Sequence, residues 1–310
     1  MQIRGIFASL CVASLGAGLI YAAPAGQIQV QVNLVNLFAT VRDKHKAIVT
    51  ALRQDDFHVY EDGQRQEISN FSTDSNLPIT LGLLIDTSVS ETYMLSAEKD
   101  AASRFLSRVL RDRDLAMVIT FDVDVDLLAD FTDDRSVLDR AISRAEIAPS
   151  GGRLVAQGPF QIGGNGGTDF YDAIYLAAHD KLSSEAGRKA IVVLTDAEDT
   201  GSKLKLQDAI EAAQRSDTVV HVLLISADGG DEHVAKKLTE ETGGRMIVVR
   251  SERNLEEAFD QLSEELRYQY SLGYAPSNKA RNGSYRKIRV ETVNRGYSVL
   301  TRRGYYGPSD

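Results

Sequence analysis

The chain has no tryptophan, one cysteine and six prolines in 310 residues. A single cysteine forbids an internal disulfide, so a disulfide scaffold is excluded. So few prolines exclude collagen-like or Pro-rich segments. Excess positive charge is also missing. The 35 Lys and Arg residues face 44 Asp and Glu, for a net charge of −9. With no basic block, nucleic acid is not an expected partner. Histidine is scarce too: His45, His58, His179, His221 and His233 match no metal or triad spacing.

Long apolar runs are absent with one exception. Arg4 is followed by Gly5 to Tyr21, which carries no charge, and then by Ala22-Ala-Pro-Ala25. A basic start, an apolar middle and an A-x-A-like end predict a signal peptide over residues 1–25, cut after Ala23 or Ala25. The expected location is therefore secreted or periplasmic, with membrane contact only if the segment stays uncleaved. Cys11 follows Leu10, where a lipoprotein site needs a small residue, so lipidation is not expected.

The pattern of the remaining chain predicts three parts. Residues 26–76 read as a small β module: Gln27 to Val35 alternates polar and apolar, and Phe38–Val41, Phe57–Tyr60 and Ile68–Phe71 follow. Asp62-Gly63 is a hairpin signal between the last two. Over 77–267, apolar runs alternate with helix-length amphipathic segments. The runs are Ile79–Ile85, Leu115–Phe121, Ala190–Leu194, Val219–Ile225 and Met246–Val249. The helical segments are 92–111, 134–146, 169–184, 203–215, 231–242 and 252–267. Alternation of this kind predicts an α/β fold, doubly wound, its mainly parallel sheet covered by helices on both faces. Over 268–310 the β pattern returns at 268–274, 285–292 and 297–302, where it can pack with residues 26–76.

Ligands of open α/β sheets bind at the carboxyl ends of the strands. Three polar segments fall there. Asp86-Thr-Ser88-Val-Ser90 follows the first run, and its spacing of two points three oxygen-bearing side chains one way in an extended segment. Gly163-Gly-Asn-Gly-Gly-Thr168-Asp169 leads into a helix, and Thr195-Asp196-Ala-Glu198-Asp199 follows the third run, Ala190–Leu194. Asp86, Ser88, Ser90, Thr168 and Asp196 form an all-oxygen donor set. Such a set suits a hard divalent cation, Mg²⁺ first, with Mn²⁺ or Ca²⁺ as alternatives. Singly, each residue also has a plain structural reading. Thr168 can cap a helix and the serines can be loop hydroxyls.

Together, Asp86-x-Ser88-x-Ser90, Gly-Gly-Thr168-Asp169 and Leu194-Thr-Asp196 resemble the metal-ion-dependent adhesion site of the von Willebrand factor type A domain. The flanking Asp56-Phe-x-Val-Tyr-Glu-Asp-Gly63 and Tyr268-x-Tyr-x-Leu-Gly-Tyr274 are similar to secreted bacterial proteins related to that family. The resemblance implies direct ligation by Ser88, Ser90 and Thr168, with Asp86 and Asp196 acting directly or through water. It implies a non-catalytic module whose metal takes an Asp or Glu carboxylate from a partner protein. Ala197 departs from it, standing where many members have glycine, and an alanine is expected to hold a more ordinary backbone.

Two other readings stand beside this one. Phe121-Asp122-Val-Asp124-Val is similar to the start of haloacid-dehalogenase-like phosphatases, with Asp122 as nucleophile, Asp124 as acid/base and Lys189 as their lysine. That motif belongs after the first strand of an α/β unit, whereas Ile79–Asp86 precedes it here. Its plain reading is a turn between two strands, the second over Val125–Phe131. The other alternative is a structural envelope-assembly component. The stretch Pro149–Gly167, with seven glycines in 19 residues, is expected to form a rim that sets partner choice.

Overall fold

The computed structural model describes residues 34–73, 77–147, 167–225 and 230–309. The expected signal peptide, most of the strand at 27–35 and the glycine-rich stretch up to Gly166 lie outside these residues.

The chain begins with strands β1 (Val35–Arg42), β2 (Phe57–Glu61), β3 (Gln64–Gln66) and β4 (Ile68–Ser72). Then come β5 (Ile79–Asp86), α1 (Leu95–Val109), β6 (Leu115–Phe121), β7 (Val125–Thr132) and α2 (Arg135–Ser143). These are followed by α3 (Phe170–Tyr175), β8 (Arg188–Thr195), α4 (Leu206–Arg215), β9 (Thr218–Ile225), α5 (Glu232–Thr242), β10 (Met246–Val249) and α6 (Glu252–Arg267). The chain ends with β11 (Tyr270–Tyr274), β12 (Tyr285–Thr292), β13 (Ser298–Leu300) and β14 (Gly304–Tyr306).

The central sheet runs β10-β9-β8-β5-β6-β7 and is parallel except for the β6–β7 pair. Every residue of β5 is buried, which is why this strand reads as a continuous apolar run. Its alternate residues feed two cores. Leu81, Leu83 and Ile85 join Phe105, Leu138, Phe259 and Leu262 on the face covered by α1, α2 and α6. Leu84 joins Phe170, Ile174, Ile210 and Leu238 under α3, α4 and α5. Phe105 and Phe259 stack at 4.7 Å, pinning α1 to α6. Period two in the strand and period 3.6 in the helices together give the three-layer arrangement. Among the described residues, no helix is long and apolar enough to cross a membrane.

Strands from the two ends of the chain share sheets. One antiparallel sheet runs β13-β1-β11-β4 and the other β14-β12-β2-β3. One apolar cluster unites them, including Leu37, Val41, Val59, Leu272, Tyr274 and Ile288.

Three local expectations change. The Asp62-Gly63 turn, at φ 48° and 82°, joins β2 to the short polar β3, while β4 leaves to pair with β11. Gln64-Arg-Gln66 has no apolar alternation to betray a strand. The helix expected over 169–184 is α-helical only to Tyr175, then widens to a π turn over Leu176–Lys181 and tightens to a 3₁₀ turn. Ala197 takes the left-handed backbone after all, with φ 61°.

Candidate metal centre

The sheet register sets the site. Asp86 ends β5 beside Phe121 of β6, and Ile85 pairs with Leu194 of β8, so the segments after β5 and β8 emerge side by side. Asp86 has no solvent exposure. Its Oδ2 accepts a 2.6 Å bond from Thr195 Oγ1, and its Oδ1 accepts from Ser88 N at 2.9 Å. Burial pushes the Asp86 carboxyl up to about 7, against these hydrogen bonds, and the negative charge of Asp196 adds to the rise.

Ser88 is extended at φ −66°, ψ 162°, but Val89–Tyr93 closes into a 3₁₀ turn, so the extended-segment expectation holds only to Ser88. The turn still brings Ser88 Oγ and Ser90 Oγ to 2.9 Å. Thr195 Oγ1 accepts from Ala197 N at 2.9 Å while donating to Asp86, so one hydroxyl fixes both segments. Asp196 Oδ1 accepts from Glu198 N at 3.0 Å, and its carbonyl accepts from Asp231 N at 2.9 Å.

Thr168 is held to the segment that carries Asp196. Its N–H donates to Thr200 Oγ1 at 2.9 Å, and its carbonyl accepts from Thr200 N and Gly201 N at 3.2 and 3.1 Å. Gly201 suits this approach: a Cβ there would lie 2.3 Å from Asp169 Oδ1, which would have to move, and 3.2 Å from the Gly167 carbonyl carbon. Asp169 N donates to Asp122 O at 2.7 Å, tying the loop to the β6–β7 turn.

One acid here was not anticipated. Asp86, Glu91 and Asp196 offer carboxylate oxygens that all lie within 4.8 Å of one another. Glu91 is 2% exposed, and its Oε1 has no hydrogen-bond partner. Glu98, fully buried on α1, meets the Glu91 carboxyl and shares a hydrogen bond with it. Burial pushes the Glu91 carboxyl up to about 10 and the Glu98 carboxyl up to about 8, and the charge of Asp86 raises both further. The sequence carried a signal. Glu98 falls on the buried face of α1, with Leu95, Ala102 and Phe105, where an apolar residue belongs, and Glu91 precedes it by seven residues, two turns earlier in the same pattern.

The phosphatase constellation is not assembled. Asp122 Oδ2 accepts from Thr87 Oγ1 at 3.2 Å and its Oδ1 from Asp124 N at 3.1 Å, as expected of a turn residue. Lys189 pairs with Thr80 near the amino end of β5. At about 3.3 Å per residue, that is roughly 20 Å from Asp86. Lys189 Nζ donates instead to Glu185 O at 3.1 Å.

Residues 81–198 match the family model of the von Willebrand factor type A domain. No curated protein sequence matches the chain. Among solved structures, proximal thread matrix protein 1 from the mussel byssus is 12% identical, with a TM-score of 0.52. That similarity covers 67% of this chain and 51% of the mussel chain, so this chain spans about half the length of that structure. A second structure of the mussel protein, with zinc occupying its metal-ion-dependent adhesion motif, is 13% identical over 67% and 50% of the two chains, with a TM-score of 0.51. The matched segment begins in β5 and ends just after β8, and it contains Asp86, Ser88, Ser90, Thr168 and Asp196. Over residues 81–198, then, this chain is similar to the von Willebrand factor type A domain.

Proposed function

We propose that this chain is an exported protein-binding module of the adhesion type. It holds one divalent cation at the carboxyl edge of its central sheet and presents it to a carboxylate of a partner protein. Asp86, Ser88, Ser90, Thr168 and Asp196 are its ligands in this reading. The observation that carries it is the convergence of Asp86 and Asp196 beside the paired Ser88 and Ser90 hydroxyls. Buried carboxylates so close together repel one another, and a divalent cation is the partner that relieves them.

When bound, the cation would supply a Lewis-acidic position for an outside carboxylate. All five proposed ligands are oxygen donors, which favours Mg²⁺, Mn²⁺ or Ca²⁺. Zinc occupies the corresponding motif of the mussel protein, so zinc belongs in the test. The surface beside the site fits a protein partner. Val89 and Tyr93, on the turn that carries Ser90, are 58% and 95% exposed. Aromatic groups next to a polar centre are frequent anchors of protein interfaces. Residues 1–25 act as the export signal, 26–76 and 268–310 as the flanking β parts, and 149–167 as a specificity rim.

The test is capture of proteins from an envelope extract of the source organism, in Mg²⁺ or Mn²⁺ and then in EDTA. Capture should require the cation and fall more than tenfold, about 1.4 kcal/mol, in Thr168→Ala. That substitution removes a ligand without changing charge. A partner retained in EDTA, and bound equally by Thr168→Ala, would place the interaction on the β sheets and favour the envelope-assembly alternative.

A further inference from the structure

The five ligands proposed above are the four hydroxyl and carboxylate positions of two loops plus Thr168, and Glu91 is not among them. Its placement is nevertheless that of a ligand. Glu91 follows Ser90 directly, and its N–H closes the turn onto Ser88 O at 3.1 Å. This turn fixes the backbone of Glu91 against the segment that carries both serines. The side chain then runs inward, leaving the residue 2% exposed. One carboxylate oxygen lies within 4.8 Å of the oxygens offered by Asp86 and Asp196. Opposite ligands of one divalent cation stand roughly 4–5 Å apart, twice a metal–oxygen distance of about 2.0–2.6 Å. Three oxygens inside that span can all touch a single ion.

The bonding around Glu91 leaves it available. Oε1 has no hydrogen-bond partner, although it is buried. The charges acting on Glu91 come from Glu98, Asp86 and Asp196, all acids, and its one side-chain hydrogen-bond partner is the Glu98 carboxyl. Two buried acids that meet with no base or cation beside them are costly, and an interior glutamate kept for packing alone would be better served by leucine. Asp86 differs, because Thr195 and Ser88 satisfy both of its oxygens.

We propose that Glu91 is a further ligand of the cation, reaching it from the protein interior and making the site a three-carboxylate centre. This inference rests on the cation-site reading above and deepens it. A third carboxylate gives the ion a charge-rich inner side while the outer side stays open to a partner. It also predicts a tighter ion than a site built mainly from hydroxyls would hold.

The experiment is calorimetric titration of the folded protein with MnCl₂, for the wild type, Glu91→Gln, Glu91→Asp and Asp86→Ala, with metal-free melting measured alongside. Glu91→Gln should weaken Mn²⁺ binding at least tenfold, because the amide cannot give up a proton to meet the cation as a carboxylate. Glu91→Asp keeps the charge but shortens the reach, and should fall between the two. A merely structural glutamate would move melting without moving Mn²⁺ affinity. If Glu91→Gln binds Mn²⁺ within threefold of wild type while Asp86→Ala abolishes binding, Glu91 is no ligand and the five-residue site stands without it. Should Glu91→Gln not fold, Glu91→Asp decides, and wild-type affinity in that variant overturns the proposal. If wild-type protein binds none of Mn²⁺, Mg²⁺ and Ca²⁺, the site reading and this inference fall together.

Discussion

At the scale of the residue, Asp86 decides most. It is buried, it receives Ser88 N and Thr195 Oγ1, and it lies against Asp196 and Glu91. A cation that binds only the folded chain adds about 2.7 kcal/mol at a hundredfold excess over Kd. Mg²⁺ or Mn²⁺ at that excess should raise the melting temperature by roughly 5 °C. Asp86→Ala should abolish the rise, and a wild-type melting curve indifferent to both metals and to EDTA would count against the site. The same acids set a pH dependence. Asp86 and Asp169 are raised to about 7, Glu98 to about 8 and Glu91 to about 10, each chiefly by burial. The folded, metal-free chain therefore holds more protons than the unfolded chain between about pH 4 and 10. Their stabilising contribution is complete below that window and is lost as pH rises through it. His221 acts in the opposite sense: burial lowers it to about 4, so acidification from 6.5 downward costs stability. Between pH 7.5 and 8.5 His221 is neutral in both states, leaving the acids to act alone. Metal-free melting should fall from pH 6.5 to 8.5, and saturating Mn²⁺ should flatten the slope. Rising or constant metal-free melting over that range would contradict the buried-acid account.

Legibility at this scale followed chemistry. Asp86, Ser88, Ser90, Thr168 and Asp196 stand out in the sequence as proposed ligands because hard-oxygen side chains recur at strand ends with fixed spacing. Glu91 did not stand out, because it lies in the short turn Val89–Tyr93 ahead of α1, where the chain has no period long enough to mark an acid as buried. Ala197 shows the limit of reasoning from a missing glycine. Thr195 Oγ1 accepts its N–H, and the surrounding loop holds a left-handed alanine in place.

At the scale of the element, the long strands and helices of the central layer were legible, since each repeats its period over several residues. The short pieces were not. β3 and β14 have three residues each, too few for alternation to show, and only their partners β2 and β12 define them. The proposed ligands lie on the loops, and Gly201 tests how far these act together. Its missing Cβ admits Asp169 Oδ1 and the Gly167–Thr168 backbone. Gly201→Ala should push the Thr168 loop outward, reduce Mn²⁺ affinity by about an order of magnitude, and leave the central sheet intact by circular dichroism. Unchanged affinity would mean that the position of Thr168 does not matter to the ion. The β6–β7 turn supplies the contrasting case. Asp122→Asn alters a turn residue whose carboxylate is already engaged by Thr87 and Asp124 N. It should change stability modestly, and neither it nor wild type should hydrolyse p-nitrophenyl phosphate above background. Turnover that depends on metal and disappears in Asp122→Asn would restore the phosphatase reading.

At the scale of the whole molecule, the chain closes on itself. Its first and last strands alternate in shared sheets, and a buried ion-pair group joins them to the central layers. Glu265, near the end of α6, has no exposure and receives Arg42 of β1 at 2.5 Å and also Arg245, just before β10. His221 Nδ1 accepts from Arg245 N at 3.2 Å, placing the group beside the core of β9. Two cations thus depend on one carboxylate. Removing a single partner from a buried pair typically costs about 3–5 kcal/mol, because the other charges stay buried and uncompensated. Glu265→Ala should therefore lower the melting temperature by several degrees, on the order of 5–10 °C. The group lies at the amino edge of the sheet, near the start of β8, where Arg188 donates to Leu266 O at 2.6 Å. The proposed cation site lies at the opposite edge, so Mn²⁺ affinity of the folded variant should stay within threefold of wild type. Scanning calorimetry adds a sharper readout. If Glu265 couples the end sheets to the central layers, its loss should split or broaden a single wild-type transition into two, and Mn²⁺ should shift only the transition of the central layers. A wild-type-like melting curve for Glu265→Ala would show that the strands of the two ends are held by their shared apolar core alone.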